Sequence, residues 1–162
     1  MLSPFEQDWW DAWNLWSALG QGVQLQPLPP PASLAPGEFA YAVEPCEVQR
    51  YDGIRLAFGN TDRHAAAAHW RTIDNGTAVL TPHRVHLLTR PTPQDFGLAM
   101  VTRMWTEHDG TVLAYGDTQY KLRVPRPVWF DVMLNHVAFN RRIDLVVPPF
   151  VQAAWQRVGL IR

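Results

Sequence analysis

GTAVLTPHRVHLLT, Gly76 to Thr89, is a short apolar run, a proline turn and a second apolar run. Thr77 to Leu80 and Val85 to Thr89 have the length and β-branched content of strands. Thr81, Pro82, His83 and Arg84 between them carry proline at the second turn position, where its fixed φ suits a β-turn. Asn75-Gly76 is expected to be the turn leading into the first of the two strands. Period-two burial puts Ala78 and Leu80 on one face and Val85 and Leu87 on another. The hairpin sets the register for what lies on either side.

Downstream, Leu98 to Thr106 is predicted as a fifth strand. Asp109-Gly110 is a hairpin signal leading to Thr111 to Tyr115, and Gly116-Asp117 turns the chain into Gln119 to Val124. After Pro125 and Pro127 the apolar spacing changes. Trp129, Phe130, Met133, Leu134, Val137 and Ala138 fit one face of a helix from Val128 to about Arg142, whose closing arginines suit the helix dipole. Phe150 to Val158 is predicted as a last short helix with Trp155 on its apolar side.

Upstream, Phe39 to Val48 reads as a first strand, with Pro45 marking an edge or a bulge. Tyr51, Asp52 and Gly53 turn into a second, Ile54 to Phe58, and Thr61 to Trp70 is a short helical stretch with an alanine run. At the start of the chain, Ser3, Pro4 and Glu6 form a capping box for a helix over 3–19. Phe5, Trp9, Trp13 and Trp16 recur on one face of it, while Asp8, Asp11 and Asn14 lie elsewhere. Residues 21–36, with five prolines, favour stiff polyproline conformation and read as a linker or strap.

The sequence therefore divides into a Trp-rich helix (1–20), a proline-rich linker (21–36), a β-rich domain (37–142) and a C-terminal extension (143–162). With 162 residues and a net charge of -1, one folded domain with appendages is expected, and nothing in the balance points to nucleic acid. A single cysteine, Cys46, excludes an internal disulfide and fits a reducing cytoplasm. Acidic residues near the N-terminus do not suit a secretory signal, and the acidic Trp-rich helix has the wrong sign for anionic lipid. All but one of the basic residues are arginine, Lys121 being the exception.

Seven short strands followed by a helix is the order of a bent barrel closed by a C-terminal helix. GTAVLTPHRVHLL resembles the glycine, strand, Leu-Thr, basic turn, strand signature of bacterial pleckstrin-homology-like domains related to the GRAM family. Gly76, Leu80, Thr81 and Arg84 match it, and Pro82 stands where asparagine is more usual. Pro36-Gly37-Glu38 before the first strand and the Asp109-Gly110 hairpin are similar as well. The resemblance covers about residues 36–142. It implies a PH-like seven-stranded barrel of mainly β, α+β class that binds phosphoinositides, peptides or proteins. Lipid-binding members use basic residues in the turn after the first strand. Here that turn offers Arg50 and Arg55 with Asp52 between them.

No residue pattern points to catalysis or to a bound cofactor. There is no Gly-x-Ser-x-Gly and no phosphate loop, and His64 and His69 lie about 140° apart on a helix, which spoils a shared metal face with Asp62. The expectation is a non-catalytic binding or assembly module. Phe5, Trp9, Trp13 and Trp16 would dock on the barrel, a second copy or a protein partner. The alternative is anion or lipid-headgroup binding through Arg50, Arg55 and Arg84, and a metal-dependent enzyme is a third reading.

Overall fold

The computed structural model describes residues 1–31, 34–51, 70–89 and 93–162. In chain order the elements are α1 (Pro4–Gly20), β1 (Ala42–Tyr51), β2 (Trp70–Leu80), β3 (Arg84–Leu88), β4 (Gln94–Gly97), a 3-10 turn (Leu98–Met100), β5 (Arg103–Glu107), β6 (Gly110–Tyr115), β7 (Thr118–Arg123), α2 (Pro127–Phe139) and α3 (Pro149–Arg157). The strands form one antiparallel sheet of order β4-β3-β2-β1-β7-β6-β5, curled into a half-barrel in an α+β fold.

β1 is the hinge of this sheet. It pairs with β2 along its whole length but with β7 only over Glu47–Arg50. Its first half, with Pro45, thus has a strand on one side only, where a residue without an N–H is tolerated. The opening hairpin holds as β2 and β3, with Leu80 opposite Val85 and Ala78 opposite Leu87. All four are fully buried. The two apolar pairs meet on the same face, not on separate ones, because residues directly opposite in a ladder share a face. α2 closes the core with Phe130, Met133 and Leu134.

Several boundaries differ from expectation. Asn75 and Gly76 are not a turn but lie inside β2, which begins at Trp70. Gly76 is required by proximity: a Cβ there would sit 2.2 Å from the Leu88 carbonyl oxygen. At Gly110 an added Cβ would likewise sit 2.4 Å from the Leu122 carbonyl oxygen. Glu107 pairs with Gly110, so the hairpin turn falls on His108 and Asp109. The predicted fifth strand is interrupted by the 3-10 turn, and β4 precedes it. The predicted strand at Ile54 to Phe58 and the helix at Thr61 to Trp70 fall outside the described residues, except Trp70, which is in β2.

α1 begins as expected, with Ser3 and Glu6 bonded reciprocally through Ser3 N–H to Glu6 Oε2 (2.7 Å) and Glu6 N–H to Ser3 Oγ (3.3 Å). α2 is shorter than predicted. It ends at Asn140 in the left-handed conformation (φ 46°), a common helix stop, and Arg141 and Arg142 lie beyond it. Among the described residues no helix is long and apolar enough to cross a membrane.

Candidate functional site

The four aromatic residues singled out on α1 sit in a helical layer built from both chain termini. Trp155 of α3 is 2% exposed and forms a second core with Val147 and Val151. Trp9, Trp10 and Trp13 pack against that core. Trp10 meets the Trp155 ring edge-on at 5.1 Å between centroids, and Trp13 stacks on Trp16 at 5.3 Å. The Trp16 indole N–H donates to the Ile143 carbonyl (2.8 Å), and the Arg142 guanidinium lies 3.6 Å over its ring. Phe5 is different. It is 41% exposed and stacks at 6.0 Å on Phe150, itself 62% exposed.

Another face of α1 is turned to α2. Ala12 is fully buried, and its small side chain lets the two helices approach closely. Asp8, expected on the polar side, is instead 2% exposed. Its carboxylate accepts the backbone N–H groups of Val128 and Trp129, each at 2.9 Å. Those are orphan donors of the first turn of α2, whose own N-cap, Arg126, makes no side-chain cap bond. Asp8 is therefore the cap of a helix 120 residues away in sequence. Burial raises its pKa against the opposing effect of the two N–H bonds. Arg126 ties the same corner together, pairing with Glu44 of β1 and with Asp11 of α1.

At the other end of the β2–β3 hairpin the signature residues form a clamp. The Thr81 hydroxyl accepts the N–H groups of His83 and Arg84, both at 3.2 Å, which shapes the turn. It donates to Glu38 Oε1 at 2.7 Å. Arg84 grips the same carboxylate with Nε (2.8 Å) and Nη2 (3.0 Å) and reaches Asp95 with Nη1 (2.6 Å). His86 pairs with the other oxygen of Asp95. The Arg84 bonds lower the Glu38 pKa to about 2. The Leu-Thr turn and the Pro-Gly-Glu lead-in, two separate motifs in sequence, are the two halves of one ion pair.

Arg50 and Arg84 are not brought together. Arg50 lies opposite Arg71 near one end of the β1–β2 ladder, and Arg84 follows the other end. The ten residues of β2 from Arg71 to Leu80 span about 30 Å. Arg55 falls outside the described residues. What Arg50 does have beside it is Tyr120, directly opposite on β7. Tyr120 meets Phe96 edge-on at 5.2 Å and Tyr115 at 6.1 Å. With Ile73 these rings line an open cleft of about 520 Å³ at this end of the half-barrel. Among the described residues the buried Tyr115 hydroxyl has no hydrogen-bond partner, and desolvation raises its pKa to about 12. Sequence reasoning missed this cluster because its members come from β2, β4, β6 and β7. The signal in the sequence was the inward parity of Tyr115 and Tyr120, in step with Leu113 and Leu122.

The Cys46 thiol is buried and pushed up to about 12, so at neutral pH it is not a nucleophile. Asp62, His64 and His69 lie outside the described residues. Among the described residues no three His, Cys, Asp or Glu side chains gather in a metal-binding group. Compared with known proteins, the chain matches no family model, no curated protein and no solved structure.

Proposed function

We propose that the protein is a non-catalytic assembly module: a PH-like half-barrel whose terminal helical layer joins it to a second copy. Support for the PH-like reading is the strand order with β1 between two three-stranded arms, followed by a helix directly after β7. The observation that carries the functional reading is the Phe5–Phe150 stack. Trp9, Trp13 and Trp16 dock within the chain, whereas this pair, together with Val146 at 79% exposure, stays in water. Large apolar side chains left on a surface beside a buried layer mark an interaction site. Sedimentation velocity on the full chain is the test. A concentration-dependent dimer that the Phe5→Ser, Phe150→Ser double variant abolishes is expected. A wild-type chain that stays monomeric at high concentration overturns the reading.

A further inference from the structure

The strap between α1 and β1 contains Pro27-Leu28-Pro29-Pro30-Pro31, and neither the half-barrel nor the helical layer uses these side chains. All five residues are exposed, Leu28 at 42%. A segment serving only as a tether is expected to be polar or to lay its apolar side chains on the protein. Among the described residues, Pro27–Pro31 is instead held at one backbone point, Leu28, and by the side chain of neighbouring Leu25. The Leu28 N–H donates to the Ala40 carbonyl at 2.8 Å, and Leu25 packs against the main core. The prolines are thus presented on a fixed backbone and face outward.

We infer that Pro27–Pro31 is a recognition segment for a partner domain that reads polyproline through an aromatic-lined groove. Polyproline helix has three residues per turn, so Pro27 and Pro30 share one ridge and Leu28 and Pro31 the next. Two such ridges are what an aromatic groove grips, and the stiff, pre-ordered chain lowers the entropic cost of docking. The prolines carry no N–H and the Leu28 N–H is already engaged. The segment therefore cannot add to a sheet as an extra strand, while the proline carbonyls remain acceptors for a Trp or Tyr donor in the groove. Residues 21–37 contain no charged side chain. Recognition then comes from shape and carbonyl acceptors, with no ion pair, and is insensitive to salt.

The experiment titrates the full chain into isotope-labelled domains of three polyproline-reading types, SH3, WW and profilin, and follows the indole N–H resonances of their grooves. Expected is a shift in at least one, unchanged between low and high salt and weakened about tenfold or more by Pro27→Ala with Pro30→Ala. Pro36→Ala, outside the segment, leaves it unchanged. A free peptide of residues 24–31 competes with the full chain, which keeps the test valid if the double variant misfolds. No shift in any of the three, or a shift the peptide does not displace, overturns the proposal and leaves the segment a spacer.

Discussion

The half-barrel and the helical layer laid on it are held by different chemistry. In the half-barrel, apolar side chains alternate into one continuous core, and ladders between strands pair the backbone polar groups. In the layer, tryptophans from opposite ends of the chain bury one another, and a few polar contacts fix where α1 sits: Asp8 on α2, Arg126 between Glu44 and Asp11, and Trp16 on Ile143. Burial energy is non-directional and supplies most of the stabilisation in both regions. Position in the layer depends on hydrogen bonds that can be removed one at a time.

Removing Trp155 tests whether the layer has a core of its own. Trp155→Ala is expected to cost about 3–5 kcal/mol in denaturant unfolding, the range for deleting a buried large aromatic side chain. A loss below about 1 kcal/mol would mean that the layer contributes little, and the contrast between the regions would collapse.

Glu38→Gln attacks the clamp on the half-barrel side. Taking from Arg84 the partly buried carboxylate that it grips with two hydrogen bonds is expected to cost about 1.5–3 kcal/mol at neutral pH. Its pKa is lowered from 4.5 to about 2 in the folded state. The stabilisation is therefore full above pH 4.5 and is lost as pH falls toward 2, since the unfolded chain binds the proton first. Urea midpoints measured across that window should converge for wild type and variant. A constant gap down to the acid limit would show that the clamp acts through packing alone.

Asp8→Ala gives the smallest of the three effects, about 0.5–2 kcal/mol, as for loss of a helix cap. Asp8→Asn keeps an acceptor and should recover part of it. Because burial raises the Asp8 pKa, the sign of its pH dependence is opposite to that of Glu38. Its ionisation opposes folding as pH rises through the raised value. In the Glu38→Gln background this opposite slope should become easier to see. Hydrogen exchange should speed up selectively in the first turn of α2, at Val128 and Trp129. Uniform acceleration across the sheet would refute the assignment of Asp8 as a local cap.

The half-barrel was largely legible in the chain because its information is local. Alternation in Thr77–Leu80 and Val85–Leu88 and the Gly116-Asp117 turn each act over a few residues, as does the Ser3–Glu6 capping box of α1. Errors arose where a local signal had a non-local cause. Asn75-Gly76 looked like a turn, yet Gly76 is a glycine because the β3 backbone passes beside it. Asp8 looked like solvent-facing polarity, yet it caps a helix far along the chain. Arg84 looked like one of three arginines of an anion site, and its guanidinium is engaged by Glu38 and Asp95.

By itself the sequence determined the class of the fold, the two terminal helices and the central hairpin, since periodicity, caps and turn residues are set by neighbours within one or two turns of chain. The tertiary structure alone decided that the Trp-rich helix docks within its own chain, that Thr81 and Glu38 belong to one clamp, and that Tyr115, Tyr120 and Phe96 meet. Those pairings join residues from distant elements, and only the curl of the sheet brings their side chains within contact distance.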